Sequence, residues 1–164
     1  MADAAKPPDT QRPRAPGAVV ARRASPLQGS LLEVFEELVY FTRVFPHRNL
    51  TLEVLLVDVE EWRYPRRNRR RPWRRQFAVA DHKLLAVQQT LKVTAAADLR
   101  QFIACPLPDP FHTAHLSAGL NIPRWAAQRI AYVLRKSGAA ETVGKQRGAW
   151  LYHWNEATPE RRAA

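Results

Sequence analysis

The spacing of apolar positions changes character along this chain, and each change marks an element. Leu31, Phe35, Leu38, Thr42 and Phe45 recur at helical spacing with Val34 and Phe41 beside them, while Glu33, Glu36 and Glu37 fall largely away from that stripe. Ser30-Leu31-Leu32-Glu33 has the spacing of a capping box, and Pro46 cannot continue a helix, which predicts an end near Phe45. Leu50 to Val59, rich in Thr51, Val54, Val57 and Val59, reads as a strand. Trp73 to Val79 is the expected returning strand of a hairpin. Asp81 to Val93 fits either a short helix or an extended piece.

From Thr94 the punctuation is denser. Thr94 is expected to cap a helix through Ala104, which Pro106 and Pro108 terminate. Thr113 is expected to cap a short helix through Ala118, ended by Gly119. Asn121 then caps a longer helix with Pro123 in its first turn, where a missing N–H costs nothing, and Gly138 stops it after Ser137. Ala140 to Val143 and Ala149 to Trp154 read as a two-stranded hairpin around the tip Gly144-Lys145-Gln146-Arg147-Gly148. No internal repeat is visible at any useful period.

This order of helix, short helix, tight turn, longer helix and hairpin resembles the winged-helix family of nucleic-acid-binding domains. The resemblance rests on Phe111-His112-Thr113-Ala114-His115-Leu116-Ser117-Ala118-Gly119-Leu120, on Pro123 to Gly138 and on the hairpin to Trp154. It covers roughly residues 94–155. It implies that the longer helix enters the major groove and that the wing tip touches the backbone. At about 100° per residue, Ala126, Ile130, Val133 and Leu134 cluster on one side of that helix. Arg124, Gln128 and Arg135 fall opposite, with Ala131 between them. Arg suits guanine O6 and N7, Gln suits adenine N6 and N7, and a small Ala leaves room for a thymine methyl. Trp125, Arg129, Tyr132 and Lys136 form a flank for phosphate or partner contacts, and Lys145 and Arg147 occupy the wing. The competing reading is a solvated helix face on a domain that binds protein.

Composition narrows the partner. The 164 residues are 46% hydrophobic, enough for a core, and carry a formal net charge of +11. Such an excess points to a polyanion, nucleic acid first. A single cysteine, Cys105, excludes an internal disulfide, and no apolar stretch approaches the ~20 residues of a membrane-spanning helix. The expectation is a protein of the cytoplasm, nucleoid-associated in a bacterium, with no membrane partner. Residues 1–29 are basic and proline-rich, lack the apolar segment of a signal peptide and are expected to form a flexible tail. Between Trp62 and Gln76 stand eight arginines, of which Arg66, Arg67, Arg69, Arg70 and Arg71 form the centre. They are candidate phosphate contacts, against the alternative of a solvated insertion. Trp62, Tyr64 and Trp73 beside them either stack on unpaired bases or anchor the hairpin ends.

Catalytic chemistry has a weaker footing. Asp58 and Glu60 on one side of a strand, followed by Asp81-His82-Lys83, resemble the Mg²⁺ site of restriction-type nucleases, but the favoured reading of Asp58 and Glu60 is pairing with nearby arginines. Cys105, His112 and His115 supply three possible zinc ligands without a local fourth, so no metal site is expected. His47, His82 and His153 have no triad spacing. Gly138 and Gly144-Lys145 only imitate a phosphate loop, because Gln146 stands where Ser or Thr is required. No cofactor is expected.

The sequence therefore describes an α+β protein. A basic tail (1–29) precedes an amino-terminal helix plus β-hairpin unit (30–93) with an arginine-rich loop at 63–75. A carboxy-terminal winged-helix domain (94–155) and a flexible tail (156–164) follow. The expected function is non-enzymatic binding of double-stranded DNA, as a transcriptional regulator or DNA-associated accessory factor. The alternatives are an RNA- or protein-binding subunit of a nucleic-acid-processing complex, or a small Mg²⁺-dependent nuclease. A first helix bearing Phe35, Leu38 and Phe41 is either a homodimer seam or core.

Overall fold

The computed structural model describes residues 21–26, 28–65 and 77–155, and the architecture is mixed α+β. Most elements of the sequence pattern recur, all but the last strand with shifted bounds. The capping box forms as expected: Ser30 Oγ accepts from the Leu32 N–H, and the Ser30 N–H donates to Glu33 Oε1, both at 3.2 Å. It opens a 3₁₀ turn, Leu31–Glu33, that runs into α1, Val34–Phe41. The helix thus stops short of Phe45, in a turn where the Val44 and Phe45 N–H groups both bond to the Phe41 carbonyl.

Strand β1 spans Leu52–Pro65 and pairs with β2, Phe77–Val93, in a two-stranded sheet. Both are longer than expected, and the ambiguous stretch from Asp81 to Val93 is extended throughout. Nearly every β2 side chain is solvent-exposed, so its conformation comes from pairing with β1 and not from burying a face. The expected helix from Thr94 to Ala104 is instead a 3₁₀ segment, Ala96–Phe102, whose N-cap position is Ala95. The Thr94 and Ala95 N–H groups and the Thr94 hydroxyl all donate to Asp98 Oδ2, at 2.7, 2.9 and 2.8 Å. Those bonds, the one from Ala95 foremost, hold the Asp98 carboxyl below the usual carboxylate range.

Helix α2, Thr113–Leu120, is capped by His112, and α3 spans Arg124–Ser137. Gly119, expected to end α2, lies inside it, and a Cβ there would come within 2.7 Å of Cys105 Sγ, so the position calls for glycine on packing grounds. Asn121 ends α2 in the left-handed region at φ 51°, and so closes the preceding helix where it was expected to open the next. Pro123 occupies the N-cap position of α3, and Gly138, at φ 83°, terminates it. Strands β3, Ala140–Gln146, and β4, Ala149–Trp154, pair antiparallel with a register shift between Thr142 and Gly144. Lys145 is therefore a strand residue. The turn itself is Arg147-Gly148, both with positive φ (48° and 83°), as a two-residue hairpin turn of the primed type requires.

By internal contacts the described chain forms two compact units. One contains Asp58–Ala86 with the described residues before Gly29. The other contains Gly29–Val57 and everything from Val87 onward, and it holds the hydrophobic core. Phe35 and Leu38 of α1 pack there with Leu99, Phe102, Phe111, Leu116, Ile130 and Leu134. Phe35 is 1% and Leu38 5% exposed, so these two residues of the first helix belong to the core, while Phe41 of the same set is 44% exposed. Phe111 makes an isolated β-bridge to Tyr152, each N–H donating to the other's carbonyl, at 2.9 and 2.7 Å.

Candidate nucleic-acid interface

The charged face of α3 is fixed by what the helix must bury. Ala127, Ile130, Ala131, Val133, Leu134 and Ser137 are buried, which leaves Arg124, Trp125, Gln128, Arg129, Tyr132, Arg135 and Lys136 exposed. At about 100° per residue these occupy one continuous arc of roughly 140° that contains no acid. The reading set and the flank predicted from sequence are thus one surface, with Tyr132 and Trp125 near its middle and Arg124 and Arg135 at one margin. Ala131 does not belong to it. At 1% exposure it packs into the core, so no thymine methyl can reach it. A helical wheel places a small residue at an angle, but neighbouring elements decide where the buried arc ends.

On this surface the two rings lie between cations. The Arg129 guanidinium lies 5.0 Å from the Trp125 ring centroid, and the Lys136 ammonium 6.0 Å from that of Tyr132. Across the β3–β4 hairpin, Lys145 Nζ sits 4.1 Å from the Trp150 centroid. Trp125 and Trp150 remain 53% and 50% exposed, so each ring keeps a face for a ligand while a cation holds it in place. Arg129 also forms an ion pair with Glu36 of α1 at 3.3 Å, which ties that margin of the arc to the core helices. Among the described residues, Arg124, Arg135, Lys136, Lys145 and Arg147 have no acid within ion-pair distance. Their charge stays available for an anionic ligand. Arg135 lies close enough to Tyr152 to oppose, in part, the burial that raises the Tyr152 phenol above its ordinary value. Arg66, Arg67, Arg69, Arg70 and Arg71 lie outside the described residues.

The remaining candidates are dispersed. Asp58 and Glu60 stand on β1, Asp81 and Lys83 on β2, and Glu60 pairs with Arg22 at 3.4 Å. Glu61 contacts Arg63 and, at 3.8 Å, His82. No group of three or more His, Cys, Asp or Glu side chains suited to a metal is present among the described residues. His112 and His115 are instead stacked, with ring centroids 3.6 Å apart. His112 Nδ1 accepts from the Ala114 N–H at 3.1 Å, and His115 Nδ1 accepts from the His112 N–H at 3.3 Å. Sequence reading missed this cap, because Thr113 is the commoner capping residue.

The double cap needs unprotonated ring nitrogens. Burial, and then the neighbouring His112, lower the His115 pKa below the ordinary histidine value. A depressed histidine contributes stability that is complete above its unfolded pKa of about 6.5 and is lost as pH falls through the folded value. The expected result is a melting temperature that declines as pH is lowered from about 6.5 towards 5. His115→Gln should flatten that decline in a thermal-melt series. A variant with the wild-type pH dependence would show that other groups cause it.

The fold and surface define a small basic α+β protein with a cation–aromatic face on its longest helix. A family model described as a domain of unknown function, DUF8091, matches residues 10–94, just over half of the chain, and the chain belongs to this family. The match takes in α1 and the β1–β2 ribbon, while α2, α3 and the β3–β4 hairpin lie beyond it. No curated protein and no solved structure matches the chain. No described helix is long and apolar enough to cross a membrane.

Proposed function

We propose that the carboxy-terminal elements form a winged-helix module and that the protein binds double-stranded DNA, with α3 in the major groove and the β3–β4 turn on the phosphate backbone. The observation that carries this reading is the acid-free exposed arc of α3, whose described cations, apart from Arg129, have no acidic partner. The element order supports it, as does the Phe111–Tyr152 bridge, which adds a third short strand segment beside the hairpin. Arg124, Gln128 and Arg135 stand on the margin from which base edges are read. Lys145 and Arg147 serve the backbone, and the arginine run at 63–75 adds sequence-independent attraction. Regulation of transcription, or accessory service to another DNA transaction, is the role such a module commonly fills.

The test is a fluorescence-anisotropy titration of the full chain against random duplex DNA, single-stranded DNA and duplex RNA at several salt concentrations. Tightest binding to duplex DNA is expected, weakening steeply with salt. A preference for single strands or RNA would assign the face to another polymer, with Trp125, Tyr132 and Trp150 as stacking rings. Absence of binding at low salt would overturn the nucleic-acid reading altogether.

A further inference from the structure

Strand β2 leaves much of its apolar surface in water. Phe77, Val79, Leu84, Leu85 and Val87 are 51%, 45%, 58%, 58% and 47% exposed. Among the described residues β2 pairs with β1 alone, so its outer edge offers backbone donors and acceptors to a further strand. A long, apolar, exposed edge of this kind is sticky unless it has a specific cover, and a two-stranded ribbon is marginal without one.

The strand's own sequence identifies that cover. Around His82 the run from Phe77 to Val87 is close to a mirror image of itself. Asp81 and Lys83 are equidistant from His82, as are Ala80 and Leu84, Val79 and Leu85, Ala78 and Ala86, and Phe77 and Val87. When a strand pairs antiparallel with its own copy about a two-fold axis through the sheet, residues equidistant from the axis stand directly opposite. An axis at His82 therefore sets every apolar residue of this run against an apolar one, and Asp81 of each copy against Lys83 of the other. Moving the axis to Asp81 or Lys83 sets identical charges opposite each other. Charge thus selects one register where hydrophobicity alone would tolerate slippage. The outer part of β1 lacks this property, because Asp58, Glu60 and Glu61 would gather carboxylates at a symmetric β1 edge.

We propose that β2 pairs edge to edge with β2 of a second copy of this chain, about a two-fold axis at His82, so that two ribbons form one four-stranded sheet. This does not depend on what α3 binds. Sedimentation equilibrium of the full chain tests it. Wild type should be dimeric, and Asp81→Lys, which surrounds the axis with ammonium groups, should raise the dimer dissociation constant by about tenfold or more. Asp81→Lys combined with Lys83→Asp restores opposite pairs in the same register and should restore the dimer. In a Cys105→Ala background, His82→Cys should give a disulfide-linked dimer on mild oxidation, because its two copies face each other across the axis. Leu85→Cys should not. A wild-type monomer at every concentration would overturn the proposal, including one that dimerises only after residues 1–20 are removed. So would a dimer indifferent to both charge variants or one not linked through position 82.

Discussion

Phe111→Ala is expected to lower the unfolding free energy by about 3–5 kcal/mol, the range for truncating a fully buried phenylalanine. Phe111 is 0% exposed, with its ring 5.7 Å from Tyr152 and 4.9 Å from Trp154, centroid to centroid. Tyr152 and Trp154 both belong to β4, so this one side chain fastens the segment before α2 to the hairpin that follows α3. Truncation leaves a void where those rings met, beside the two backbone bonds that join residues 111 and 152. Against a typical total of roughly 5–15 kcal/mol, the loss leaves a largely unfolded population at modest urea concentrations. Urea titration followed by tryptophan fluorescence and far-ultraviolet circular dichroism measures it. Phe111→Leu should cost clearly less, and Tyr40→Ala, at a position 81% exposed, should stay within about 0.5 kcal/mol of wild type. Should Phe111→Ala unfold like Tyr40→Ala, the contact between the two segments would carry no stability.

Phe111 also shows where local pattern stops being informative. Its partner lies in β4, far along the chain, and a single-residue bridge has no period to detect. The end of helix α3 was legible to the residue, because its apolar spacing and Gly138 agree, whereas its start was misplaced, since Asn121 closes α2 and Pro123 is the N-cap. The loss of Ala131 from the exposed face was not legible, since packing sets the margin of a buried arc. Strand β2 was half legible for a related reason. From Asp81 to Val93 its polar and apolar residues serve pairing with β1 and bury almost nothing, so neither period dominates. The candidate cations of α3 and of the β3–β4 hairpin were legible as residue types. Their freedom from acidic partners, and the ring beside Lys145, emerged only from the fold.

The largest functional effect is expected from removing four of those cations together, in Arg124→Ala, Arg135→Ala, Lys145→Ala and Arg147→Ala. All four are exposed and none has an acidic partner among the described residues, so their removal leaves no buried charge behind. The fold should survive, and circular dichroism should confirm that it does. Affinity for duplex DNA should fall by roughly a hundredfold or more at near-physiological salt, taking about 1 kcal/mol or more per lost contact. The salt slope separates this from a nonspecific loss. Each phosphate contact adds about 0.9 to the steepness of log K against log salt, so full backbone engagement by all four predicts a slope shallower by about 3–4. A smaller change in slope with a large loss of affinity would mean that Arg124 and Arg135 touch base edges and only Lys145 and Arg147 touch phosphates. The arginine run at 63–75 is intact in this variant and should leave a residual, strongly salt-dependent binding. If affinity and slope both match wild type, α3 and the β3–β4 hairpin do not face DNA, and the arginine run alone holds the polymer.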